Sequence, residues 1–166
     1  MNLLRRIKRL WRGRGFGVHS PFAYWFVTDV LNLSHGYEYY GYETIREIVP
    51  PRSRRLYRLI LRVGASLGAR SVAVEKGLDG TLPFRIIEGT DAPADLVVLS
   101  PGATEAFRAY GLERLAAGAT LIFSDRAYLR EVKRQMGEGM SFTNNHGLTV
   151  AVGRRGLPLT HYNVSF

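Results

Sequence analysis

The chain has 166 residues, 46% of them hydrophobic, no cysteine and a formal net charge of +9. That length makes one domain the default with ample apolar content for a core, and the missing cysteine excludes disulfides and thiolate metal sites. No apolar run reaches the length of a membrane span, and the basic N-terminus lacks the unbroken apolar stretch of a secretory signal, so a cytoplasmic protein is expected, with contact to the inner membrane face left open.

The charge is unevenly placed. Residues 1–70 carry 13 basic and 4 acidic side chains, and residues 71–166 carry 10 of each, so the whole excess lies in the first part. Only Lys8, Lys76 and Lys133 are lysines. A positive segment of this kind attracts polyanions such as nucleic acid or anionic lipid, although an arginine-rich composition has the same appearance.

In chain order, Leu3, Leu4, Ile7, Leu10 and Trp11 recur at helical spacing between Arg5, Arg6, Lys8, Arg9 and Arg12, which predicts a short basic amphipathic helix over 2–12. It would dock on the domain, pair with a second copy, or lie on an anionic membrane. Ser20 and Pro21 form an N-cap and first-turn pair, so a helix is expected to about Leu33. Tyr37, Tyr39, Tyr40 and Tyr42 form a cluster that either covers the core or stacks bases. A short helix over 42–49 ends at Pro50 and Pro51. Residues 53–68 read as a helix with Leu56, Leu59, Ile60, Val63 and Leu67 on one stripe and Gly68 as its cap. On the same helix Arg54, Arg58 and Arg62 fall one turn apart. Like charges at that spacing repel, so this stripe is expected to face solvent or to meet an anion. Strands are predicted at 71–75, 84–88, 95–100 and 119–125, helices at 103–116 and 126–137, and a closing antiparallel hairpin from 148–155 and 160–166, with "NNHG" (144–147) as the turn leading into it. Strands alternating with helices indicate an α/β domain with a mostly parallel sheet.

Three stretches carry a resemblance: "GFGVHSPF" (15–22), "YYGYE" (39–43) and the terminal "YNVSF" (162–166). With the strand–helix order and the final hairpin, they make the chain similar to class I S-adenosylmethionine-dependent methyltransferases, and more narrowly to small methyltransferase-like proteins mostly from Bacteroidetes. The resemblance implies a Rossmann-like methyltransferase sheet with a C-terminal antiparallel hairpin. Residues 53–166 would form that domain, and residues 1–52 a basic helical extension. It also implies S-adenosylmethionine or S-adenosylhomocysteine as ligand and a small-molecule or macromolecular methyl acceptor. Glu75, Gly77 and Gly80 would form the cofactor loop, Glu88 would bond the ribose hydroxyls, and Asp125 would orient substrate.

The chain departs from that pattern. Only eight residues separate Glu75 from Phe84 and six separate Glu88 from Asp95. A parallel crossover with its helix takes about a dozen or more. Both crossover helices are therefore expected to be missing, and strand 84–88 to run antiparallel or to sit as an irregular edge, away from its place in the family. "LSPG" (99–102) also lacks the acid the family carries there. A shortened, degenerate methyltransferase-like protein follows. The alternative is a non-catalytic binding or scaffold module whose arginine-rich half contacts RNA, an anionic membrane or a partner protein. Shortened loops leave sheet edges that a second copy would cover, so a homodimer is a further expectation. His19, His35, His146 and His161 show no metal-ligand spacing, and His19 is read as fixing its turn. No serine nucleophile motif is present.

Overall fold

The computed structural model describes residues 20–32, 41–77 and 82–166. The helix read at 2–12, His19, His35, Tyr37, Tyr39, Tyr40 and Gly80 lie outside the described residues. The chain divides into two compact units. One contains the described residues up to Ala69, together with 82–83 and 164–166. The other contains Arg70 to Gly77 and Phe84 to Asn163.

The first unit is helical. Helix α1 (Pro21–Trp25) starts where the Ser20 hydroxyl accepts a hydrogen bond from the Ala23 amide at 3.3 Å. It continues as a π-helical turn over Phe26–Leu31, closed by the Asn32 amide on the Val27 carbonyl at 3.0 Å. Ala23, Phe26, Val27, Val30 and Leu31 are its buried face. Helix α2 (Tyr42–Ile48) ends at Val49, which Pro50 holds in an extended conformation. Helix α3 (Arg54–Leu67) ends at Gly68, whose φ of 72° suits glycine. The arginine stripe of α3, expected to face solvent or to meet an anion, is turned from solvent at Arg62 only. Tyr57, Leu59, Ile60, Leu61, Arg62, Val63 and Gly64 are buried, whereas Arg54 and Arg58 are half-buried, so the stripe is partly open at its first two positions and closed at the third. The Arg62 guanidinium turns inward instead, to the Tyr42 hydroxyl at 3.2 Å and the Leu31 carbonyl at 3.4 Å. The C-terminal residues belong to this unit, with Val164 buried and Arg55 donating to the Phe166 carbonyl.

The second unit is a seven-stranded mixed sheet with two helices. Its strands are β1 (Ser71–Val74), β2 (Arg85–Glu88), β3 (Leu96–Val98), β4 (Thr120–Phe123), β5 (Met140–Thr143), β6 (Thr149–Val152) and β7 (Thr160–Asn163). They lie in the order β2-β1-β3-β4-β6-β5-β7. Only β6 opposes its neighbours, running antiparallel to β4 and β5. Strands β1, β3, β4 and β6 are buried at every residue, which is why they read as continuous apolar runs. Helices α4 (Glu105–Ala116) and α5 (Arg126–Gln135) bring Phe107, Tyr110, Leu115, Tyr128 and Val132 onto Ala73, Val97, Leu121, Phe123 and Ala151. Tyr128 stands edge-on to Phe123, with ring centroids 5.1 Å apart, and donates its hydroxyl to the Arg108 carbonyl at 2.7 Å. Gly111 leaves room for it, since a Cβ there would lie 3.0 Å from the Tyr128 hydroxyl.

Two expected pairings are corrected. Strand 84–88 is neither antiparallel nor irregular; β2 runs parallel to β1, with Val74 opposite Glu88. The connection from β2 to β3 suffices without a helix. The seven residues 89–95 between β2 and β3 reach about 23 Å when extended. The return covers only about 13 Å along a four-residue strand and about 10 Å across two strand spacings. The closing hairpin is also reassigned. Strand β6 pairs with β5, across a turn in which the Asn144 side-chain carbonyl accepts from the amides of His146 and Leu148. Strand β7 passes over β5 and joins its far side in parallel.

That last pairing sets His161 opposite Ser141, with Nδ1 and the hydroxyl 2.6 Å apart. Burial, and then the nearby Lys133 charge, push the His161 pKa below 6.5. The native state thus binds fewer protons than the unfolded chain. This contribution to stability is full above the unfolded pKa and is lost as pH falls through the lower folded value. Urea denaturation of the wild-type protein should therefore show stability falling from pH 7.5 to 5, with a smaller fall in His161→Gln.

Candidate functional site at the sheet edge

Strands β2, β1, β3 and β4 are parallel, so the residues that follow them emerge along one edge of the sheet. The chain leaves β1 for β2 on one side, and β3 then lies on the other side of β1. The edge between β1 and β3 is thus the point where strand order reverses, the usual place for a ligand in an open α/β sheet.

Three glycines shape this edge. Gly77 after β1, Gly89 after β2 and Gly102 after β3 have φ of 77°, 83° and 85°. All three lie in the left-handed region that glycine enters without a steric cost. A Cβ at any of them would meet nothing within 4 Å, so the backbone there borders open space. Glu88 ends β2 and is exposed, and its carboxylate accepts no hydrogen bond from any described residue. Glu75 follows Val74, the partner of Glu88, so the two carboxylates belong to adjacent strand ends.

Glu75 is already engaged. Its two carboxylate oxygens accept from the Thr104 amide at 3.1 and 3.3 Å. Thr104 is the N-cap of α4, and its hydroxyl accepts from the Phe107 amide at 3.3 Å. The Thr104 hydrogen bonds hold the Glu75 carboxyl below the usual range. The contact ties the end of β1 to the start of the helix that follows β3, across the reversal of strand order.

Asp125 is engaged as well, and is removed from the other two. It follows β4, two strand spacings or about 10 Å from β1. As the N-cap of α5 it accepts from the amides of Ala127 at 2.7 Å and Tyr128 at 3.2 Å, and it pairs with Arg108 at 2.8 Å. The Tyr128 amide, with Ala127 and Arg108 acting against burial, keeps its carboxyl below the ordinary value. Its observed contacts hold the start of a helix.

The structure thus brings Glu75, Gly77 and Glu88 together on adjacent strand ends and sets Asp125 apart. Arg54, Arg58 and Arg62 belong to the helical unit. Thr104, Gly89 and Gly102 at the edge were not among the residues the sequence assigned to a site. The signal for Thr104 was its position one residue before Glu105 at a helix start, as an N-cap. Among the described residues no group of three or more histidines or acids is placed to hold a metal ion, and no helix is long and apolar enough to cross a membrane. Compared with family models, curated proteins and solved structures, the chain matches none.

The role of Asp125 as a cap has a measurable consequence. Asp125→Ala should cost about 1–2 kcal/mol in urea denaturation at neutral pH. Asp125→Asn should cost less, because the amide oxygen still caps. Since the folded pKa is depressed from 3.8, the advantage of aspartate over asparagine should be full above that value and disappear as pH falls through the lower one.

Proposed function

We propose that the protein is a reduced methyltransferase-like domain that binds the nucleoside part of S-adenosylmethionine or S-adenosylhomocysteine at the ends of β1 and β2. The observation that carries this reading is the parallel register of Val74 with Glu88. It leaves an unengaged carboxylate at the end of the second strand, beside a left-handed glycine turn after the first. Vicinal ribose hydroxyls are donors that such a carboxylate accepts well. The open space at Gly77 and Gly89 fits a ligand that approaches the backbone closely. The single reversed strand, β6, lying between the parallel β4 and β5, supports the same fold reading.

In this reading Glu88 binds the ribose and Gly77 and Gly89 form the rim. Glu75 acts as a wall, fixing the loop after β1 to the start of α4. The bound cofactor would supply an electrophilic methyl group. Its transfer to a nucleophile depends chiefly on proximity and alignment, so the chain's part is to bind and orient. The alternative, a scaffold that lays the whole arginine stripe along a polyanion, has less support, because Arg62 is directed into the helical unit and leaves only Arg54 and Arg58 partly open.

Thermal denaturation with S-adenosylhomocysteine tests the proposal. A ligand bound only by the folded state adds RT ln(1 + [L]/Kd), about 2.7 kcal/mol at a hundredfold excess over Kd. The wild-type midpoint should rise with ligand concentration, and Glu88→Ala should lose most of that rise while keeping its own unliganded midpoint within a few degrees. An unchanged response in Glu88→Ala would remove the ribose assignment, and no response at millimolar ligand would remove the cofactor.

A further inference from the structure

The helical unit holds a feature that the sheet edge does not use. Arg54, Arg58 and Arg62 form a column along α3, with a rise of about 6 Å between each. Arg54 donates its Nε to the Val49 carbonyl at 2.8 Å. The Arg58 guanidinium lies over the Tyr42 ring, 5.1 Å from its centroid. Arg62 is 5% exposed and donates to the Tyr42 hydroxyl and the Leu31 carbonyl. Nε of Arg58 and Nε of Arg62 are both buried with no acceptor at all.

No acid among the described residues neutralises this column. Among the described residues the only ion pair within 4.0 Å is Arg108–Asp125, in the other unit. Removing a guanidinium from water without a counter-charge is costly. Like charges one turn apart add repulsion. Tyr42 offsets part of this, with its ring face for Arg58 and its hydroxyl for Arg62. Among the described residues two buried Nε donors and the buried Arg62 charge remain uncompensated, a condition that native structures resolve with a bound water or ion. Arg58 is only half-buried, and its buried, unpartnered atoms are confined to Nε. Its terminal nitrogens, which donate to no described residue, therefore keep a route to solvent.

The geometry points to an oxyanion site of the phosphate class, held by the outer edges of Arg54 and Arg58 with Arg62 and Tyr42 behind them. A tetrahedral, multiply charged anion presents oxygens to two guanidinium forks at once. A single carboxylate would neutralise one arginine and leave the column unbalanced. The site lies within the helical unit and is independent of the nucleoside reading.

The test compares phosphate with chloride at matched ionic strength. At about 10 mM phosphate the wild-type midpoint should rise by about 3 °C over chloride. Arg58→Gln, a half-exposed position, should lose most of that difference. Phosphorus NMR gives a reading separate from stability: the inorganic phosphate line should broaden with wild-type protein and stay narrow with Arg58→Gln. Should that variant not fold, Arg54→Gln carries the same expectation. A midpoint that responds equally to phosphate and chloride, or an Arg58→Gln protein that keeps the phosphate shift, would overturn the proposal. Dimethyl phosphate separates the sources. It carries one charge, so a shift with inorganic phosphate alone supports a terminal, multiply charged phosphate, and a matching shift with the diester would overturn the requirement for more than one charge.

Discussion

The parallel pairing of β2 with β1 is the constraint on which the sheet edge depends. Four register pairs, from Ser71 with Arg85 to Val74 with Glu88, set the end of β2 level with the end of β1. An antiparallel β2 would have put the start of that strand there and carried Glu88 to the opposite edge. Because the pairing is parallel, one side of the unit collects an exposed carboxylate, three left-handed glycine turns and the N-terminus of α4. The connection from β2 to β3 achieves this without a helix, since chain reach is the physical limit and crossover helices are the common way of using it.

Three other acids of the second unit show how the same chemistry serves structure. Asp95 accepts from the amides of Arg70 and Ser71 and from the Ser71 hydroxyl, and so fixes the start of β1. Burial raises its pKa, but those hydrogen bonds more than offset the rise and hold it below the ordinary value. Asp125 caps α5, and Glu75 holds the amide of the residue that caps α4. Each of these carboxylates meets backbone N–H groups that would otherwise lack a partner at the end of an element. Glu88 has no such role. That difference separates an acid available to a ligand from acids that complete the fold, and residue type alone does not make it.

Much of the fold was legible. Ser20 with Pro21 marked the first helix, Gly68 marked the end of α3, and the apolar runs at 71–74, 96–98 and 120–123 marked the central strands. Strand β5 was not legible, because "MSFT" is short and half polar and its burial comes from β6 and β7 on either side. The direction of the arginine stripe was hidden for a related reason. Helical spacing shows which residues share a face, but the faces of α3 that pack inward are set by its tertiary neighbours. At the candidate site the acids and Gly77 could be read from their places after apolar runs. The engagement of Glu75 could not, since its partner Thr104 is 29 residues away in sequence.

The most direct measurement is a titration of isotopically labelled protein with S-adenosylhomocysteine, followed through backbone amide resonances. The account predicts saturable shifts centred on Gly77, Glu88, Gly89 and Gly102, with little change at β5 and β7 on the far side of the sheet. Shifts that saturate elsewhere, or none at millimolar ligand, would contradict it and leave the parallel edge without a nucleoside to bind.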